Sequence, residues 1–239
     1  MPSILTLAAE LHLLIGESLA TFQDLSALSR TNRYFNTTLT AVLYKRALSV
    51  SAAADPHTQC VYDWAISRER LSTLSQLLRH GGSLSQRIHY RGGVAQSWYG
   101  WFWRRRHAPT LLLAAVSAHK IRAARFLLQC GAEVNEAVNG EGPLHVAVHI
   151  RPDVEMVKVL IEAGADVCRP DLVGWAPLAS TLKTWSFHYK DGEIMLRCRA
   201  VAKLLIAHGA YNGGPMLGVQ RAALAAMRLG PFEDEEEEE

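Results

Sequence analysis

His145 and His149 stand four residues apart in Pro143-Leu144-His145-Val146-Ala147-Val148-His149, a stretch whose pattern predicts a helix. At that spacing two imidazoles share a helical face and can chelate zinc. The residues between them are Val-Ala-Val, so the glutamate of a metalloprotease helix is missing. A structural role fits His145 better, and we expect no metal. The four cysteines, Cys60, Cys130, Cys168 and Cys198, are 70, 38 and 30 residues apart, and none forms the Cys-x-x-Cys pair of a zinc knuckle or a redox site. Gly140-Glu141-Gly142 runs into a proline rather than into a phosphate-binding turn, and neither a P-loop nor a Gly-x-Ser-x-Gly elbow occurs. His80 and His208 each stand just before a glycine, where a ring at a helix C-terminus meets a favourable field. We therefore expect no catalytic residue and no cofactor, and a chain that is not an enzyme.

The other chemically pointed residues are suited to binding. Trp98, Tyr99, Trp101, Phe102 and Trp103 run into Arg104, Arg105, Arg106 and His107. Aromatic rings and arginines dominate binding hot spots, and rings beside arginines can also stack on bases and pair with phosphates. Three readings stay open for this stretch: rings packed on the protein's own surface with the arginines in water, contact with a protein partner, or contact with nucleic acid or a membrane surface. The last has the least behind it. Trp185-Ser186-Phe187-His188-Tyr189 is similarly aromatic but lacks the basic run.

The elements that must position these residues repeat. Leu77-Leu78-Arg79-His80-Gly81, Leu127-Leu128-Gln129-Cys130-Gly131, Leu160-Ile161-Glu162-Ala163-Gly164 and Leu205-Ile206-Ala207-His208-Gly209 share one form, an apolar pair, two residues and a glycine. The glycines are 50, 33 and 45 residues apart; 33 is one period, and the other gaps carry insertions of 17 and 12. Within the third unit Pro143 suits a first helical turn, Arg151-Pro152-Asp153 breaks that helix, and Asp153 is a good N-cap for the next. Val154, Val157, Val159, Leu160 and Ile161 then give a broad apolar face. Gly164 stands where a left-handed C-cap is needed. The aromatic-arginine stretch falls in the hairpin loop between units one and two, and the Trp185–Tyr189 stretch falls between the two helices of unit four. A polar stretch from Arg169 to Gly174 reads as a turn before Trp175-Ala176-Pro177-Leu178 opens the last unit.

These motifs resemble the ankyrin repeat. Its pattern Thr-Pro-Leu-His-x-Ala is matched by Gly142-Pro143-Leu144-His145-Val146-Ala147, and its Gly-Ala-Asp-Val-Asn by Gly164-Ala165-Asp166-Val167-Cys168 and Gly131-Ala132-Glu133-Val134-Asn135. The fourth unit keeps Ala176-Pro177-Leu178 and Gly209-Ala210, and the first, around Val61 to Leu84, is degenerate. The resemblance implies an all-α solenoid of about four helix-pair repeats over residues 57–229. Pro143, Leu144, His145, Pro177, Leu178 and the glycines Gly131, Gly164 and Gly209 would carry the repeat structure, His145 bonding between neighbouring units. Function would then be protein recognition by hairpin tips and concave face, where Asn139, Asp171 and Trp175 join Trp98 to Arg106 as target contacts.

Residues 7–46 do not follow the repeat. Leu7, Leu11, Leu14, Ile15 and Leu19 form a helical stripe, Thr21 with Asp24 reads as a cap for a second helix carrying Leu25 and Leu28, and a third carries Phe35, Leu39, Val42 and Leu43. Three short helices make too small a core to stand alone, so the segment should lean on the first repeat or on a partner. It resembles an F-box: Leu7-Ala8-Ala9-Glu10-Leu11, Ile15, Asp24-Leu25, Arg33-Tyr34-Phe35 and Leu43-Tyr44 echo that pattern, with Ala8 at the usual proline. The resemblance implies that residues 1–50 bind the small adaptor subunit of SCF-type ubiquitin ligases through Leu7, Leu11, Leu14, Ile15, Leu25, Leu28 and Leu43, while the repeats choose a target. The alternative is a plain helical cap on an ankyrin scaffold.

Bulk properties agree with an interaction protein. Of the 239 residues 49% are hydrophobic and 20% charged, a globular composition. The net charge of +2 hides an acidic tail: residues 233–239 are all Asp or Glu, so the rest of the chain carries +9. We expect residues 230–239 to be a disordered, solvated tail, and regard +9 as too little to argue for nucleic acid. Met1 to Ile15 lacks a basic start and Glu10 interrupts its apolar run, unlike a secretory signal, and no stretch is long enough to span a bilayer. An intracellular, cytoplasmic or nuclear protein is expected.

Overall fold

Four times along the chain a short helix, a tight turn and a second helix end on a glycine. The computed structural model describes residues 27–28, 31, 33–52, 61–88, 109–138, 140–149, 152–188, 190–210 and 225, with backbone alone for 49–52. Among them nine helices follow one another: α1 (Arg33–Ala52), α2 (Val61–Ser67), α3 (Leu71–Arg79), α4 (Leu111–Ser117), α5 (Ile121–Gln129), α6 (Pro143–Val148), α7 (Val154–Glu162), α8 (Pro177–Phe187) and α9 (Gly192–Ala207). The described residues contain no strand, only two isolated antiparallel bridges, Arg87 with Thr110 and Val138 with Glu141.

The closing glycines share a cause. Gly81, Gly131, Gly164 and Gly209 have φ of +103°, +91°, +88° and +85°, the left-handed region where a side chain would be strained. That turn points their amides back at the helix: Gly131 donates to Leu128 O at 2.9 Å, Gly164 to Ile161 O at 2.9 Å and Gly209 to Ile206 O at 2.9 Å. The next residue reaches one carbonyl further, as Ala132 does to Leu127 O and Ala165 to Leu160 O, both at 3.0 Å. Starts are equally determined. Thr110, Asp153 and Asp191 accept from the amides of Leu113, Met156 and Ile194 at 3.3, 3.1 and 3.2 Å. Pro143 and Pro177 occupy first turns, where a missing N–H costs nothing.

The helix pairs stack in two rows. First helices α2, α4, α6 and α8 pack on one another, and α7 packs between α5 and α9 in the second row. Leu74, Leu127, Leu160 and Leu205 of the second helices are fully buried, as are Leu112, Leu144 and Leu178 of the first to within a few per cent. One continuous core results, running from Tyr62 to Ala210. No single pair could bury these faces alone, so each unit is stabilised by its neighbours.

α1 precedes the stack and touches it. Tyr44 and Leu48 pack against the common core, and the Tyr44 ring stacks on His80, 5.6 Å between centroids and 8° from parallel. Its other end holds a separate small cluster in which buried Phe35 and Leu39 gather Leu28, Val42 and Leu43. Of the two supports expected for the N-terminal segment, the first repeat or a partner, this helix takes the first repeat.

Two boundaries differ from the sequence reading. α6 stops at Val148, and His149 closes it in an extended conformation (φ −69°, ψ 176°), so the two histidines do not share a helical face. Pro152, arriving close behind, leaves no room for another turn. In unit four, Trp185, Ser186 and Phe187 are the last turn of α8, and α9 is 16 residues long against nine in α5 and α7. The insertion lengthens both helices instead of forming a loop between them, because nothing from Thr184 to Phe187 breaks a helix. Among the described residues no helix is long and apolar enough to cross a membrane.

Candidate interaction face

The units are tied by side chains that reach from one repeat to the next. Asn135 donates from Nδ2 to Gly164 O at 3.2 Å and accepts the Asp166 amide on Oδ1 at 2.9 Å; the Arg169 guanidinium donates to the Asn135 carbonyl. His145, 3% exposed, bonds through Nε2 to Trp175 O at 3.1 Å. A carbonyl only accepts, so Nε2 carries the proton. Burial holds the His145 pKa below its ordinary value, against the opposing pull of that bond, and the ring serves as a neutral strut. Behind the second row, His119 Nδ1 lies 3.5 Å from Asp153 Oδ2 and keeps that carboxyl below its usual range. Arg125 pairs with Glu155 at 2.6 Å.

Where the third and fourth units meet, the same ties build a surface. Asp171 Oδ1 accepts two amides, Val173 and Trp175, each at 2.8 Å, and its own amide donates to Trp175 O at 2.9 Å. With Gly174 left-handed at φ +86°, this closes a hairpin whose tip is Leu172-Val173. Both tip side chains stand in solvent, 77% and 74% exposed. Gly140 seats the preceding hairpin against them: a Cβ there would come within 2.4 Å of Leu172 Cγ, so no other residue fits. Next to the hairpin, the Lys183 ammonium lies 4.2 Å from the centre of the Trp175 ring and 6.0 Å from that of Phe187. A cation over a ring face gains about 0.5–1 kcal/mol at an exposed site. Phe187 is 71% exposed and borders an open cavity of about 520 Å³ with His188, Lys190, Asp191 and Gly192.

Glu141, at the foot of the first of these hairpins, carries a buried Oε2 with no hydrogen-bond partner among the described residues. Burial pushes its pKa up to about 7; the neighbouring Asp171 adds to the rise and Lys183 opposes it. His149 is held low chiefly by burial, with Lys183 acting the same way. Acid–base groups thus gather here, and two of them are committed to structure: His145 to a carbonyl, Asp171 to its own turn. None of Glu141, His145, His149 and Asp171 lines the cavity at Phe187. Among the described residues no cluster of three or more His, Cys, Asp or Glu could hold a metal ion. Burial raises the Cys198 thiol to about 12, which leaves it unreactive.

The expected contacts divide accordingly. Of the adaptor set, Leu28 and Leu43 flank the Phe35–Leu39 cluster, while Leu7, Leu11, Leu14, Ile15 and Leu25 lie outside the described residues. Of the target set, Asp171 and Trp175 are brought together; Trp98, Tyr99, Trp101, Trp103, Arg104, Arg105, Arg106 and Asn139 lie outside the described residues. Asp171, taken from sequence as a target contact, is engaged in building the turn that presents its neighbours. Sequence reasoning missed Leu172, Val173 and Lys183. Two apolar residues between Asp171 and Gly174 were a visible signal, passed over because the stretch around them is polar.

Comparison with known proteins accounts for this arrangement. Residues 63–171 match the family model described as ankyrin repeats (3 copies), so that part of the chain carries ankyrin repeats, and α8 and α9 continue the stack beyond it. Ankyrin repeats imply a role in protein–protein interaction. No curated protein matches the chain.

Proposed function

We propose that this chain is a non-enzymatic, intracellular interaction adaptor that grips a protein target with the hairpin tips and first helices of its repeats. The observation that carries this reading is the tip at Leu172-Val173: two large apolar side chains held out in solvent by a hairpin that Asp171 locks. Exposed apolar groups on a rigid, polar-rimmed support mark a contact surface. Trp98 to Arg106 and Asn139 belong to the same target surface in this reading. Leu172→Asp with Val173→Asp should leave the fold intact and abolish capture of the target; undiminished capture overturns the assignment of this surface.

The finer reading makes residues 1–50 an F-box that docks the small adaptor of an SCF-type ubiquitin ligase, the repeats supplying the substrate. Its support is the pattern from Leu7 to Tyr44 and the cluster of Phe35 and Leu39 with Leu28 and Leu43. Pull-down with the ligase adaptor tests it: equal recovery of the intact chain and of a Leu11→Ala, Ile15→Ala variant removes the ligase role. The stacking of Tyr44 on His80 favours a second reading, in which the segment only caps the solenoid. That reading expects no adaptor capture and a lower melting temperature when residues 1–50 are deleted.

A further inference from the structure

In unit four one cation, Lys183, is held over aromatic rings rather than by a carboxylate. Lys183 sits on two rings and makes no ion pair among the described residues, although Asp171 and Glu141 are near enough to act on each other electrostatically. Asp171 uses Oδ1 for its own hairpin, and burial disfavours charge on Glu141, whose Oε2 is enclosed and unmatched. The Lys183 ammonium is therefore held over the rings with no carboxylate in ion-pair contact among the described residues. Exposed apolar side chains accompany its two rings: Leu172 and Val173 on the hairpin that Trp175 closes, and Phe187 itself at the end of the helix that carries Lys183.

We propose that this face takes an extended acidic segment of a partner protein, one Asp or Glu carboxylate pairing with Lys183 and its apolar neighbours covering Leu172-Val173 and Phe187. The inference rests on the adaptor reading and adds the chemistry of what is recognised. Charge decides between acidic and basic partners. A basic side chain would have to displace Lys183 from its rings and would find Asp171 already engaged. An acidic one meets a preoriented cation that loses little freedom on binding.

The test uses the full chain and three fluorescent peptides of equal length, in which Leu and Phe alternate with Glu, Gln or Lys. The Glu peptide should bind tightest, and its binding should weaken as salt rises. Lys183→Glu should weaken it by at least about tenfold, Lys183→Met by less, and Lys183→Arg hardly at all. Unchanged melting curves for Lys183→Met and Lys183→Arg guard against a folding defect. Preference for the Lys peptide, or Glu-peptide binding indifferent to Lys183→Glu, overturns the proposal. So does failure of all three peptides to bind; the adaptor reading is then judged separately, by target capture with the Leu172→Asp, Val173→Asp variant.

Discussion

The Cys168 thiol donates to Gly209 O at 3.5 Å, at the place in its repeat where Asn135 donates to Gly164 O at 3.2 Å. Each residue follows its own closing glycine by four positions and holds the closing glycine of the next repeat. The amide also accepts the Asp166 N–H, whereas a thiol is a weak donor. The tie between units three and four is the poorer of the two.

Exchanging these side chains should move stability in opposite directions. Asn135→Ala takes away the partner of the Asp166 amide and the Gly164 carbonyl, both exposed, and should cost about 0.5–1.5 kcal/mol. Cys168→Asn should stabilise by about 0.5–1.5 kcal/mol. Chemical denaturation of both variants measures this, and a neutral Asn135→Ala would show that the tie does not hold the units.

His145 predicts a pH effect. Its folded pKa is lowered, so the unfolded chain binds the proton more readily. Its contribution to stability is complete above the ordinary value of 6.5 and is lost as pH falls below it, towards the folded pKa. His149 is shifted the same way and adds to the slope. His145→Gln should be less stable at pH 8 and show a shallower loss between pH 8 and 5 (~1 kcal/mol scale). An identical slope in the variant would refute the assignment.

Glu141 predicts the opposite balance. Its folded pKa of about 7 lies above the 4.5 of an ordinary glutamate. Unfolding therefore releases a proton between those values, and the residue increasingly destabilises the fold as pH rises from 4.5 to 7. Glu141→Gln should raise stability above pH 7, on the order of 1–3 kcal/mol, and change little below pH 4. Thermal melts across that range check the sign.

Leu160 tests the stack itself. It is fully buried in α7, between the second helices of its two neighbours. Leu160→Ala should cost roughly 2–5 kcal/mol by lost burial and the cavity left behind. A loss well below 1 kcal/mol in denaturant would mean that the repeats do not share one core.

Much of this fold is legible in the sequence because its punctuation is stereochemical. Gly81, Gly131, Gly164 and Gly209 are glycines since their φ is positive, and Asp153 and Pro143 announce helix starts by what their groups can and cannot bond. The 12-residue excess in unit four was harder, because helix-compatible residues extend an element as readily as they fill a loop. The candidate face was only half visible. Trp175 is named by its motif, but Lys183 matters through rings that only the folded chain places beneath it. The unmatched oxygen of Glu141 likewise depends on burial between units, which no local pattern records.

α1 is a single 20-residue helix whose one end keeps the Phe35–Leu39 cluster and whose other rests Tyr44 and Leu48 on the first repeat. An α-helix advances about 1.5 Å and turns about 100° per residue. The bearing of the cluster around the solenoid is thus a matter of phase. One extra residue near Val42 would swing the cluster roughly a quarter of the way round the helix axis, while both ends kept every residue they need.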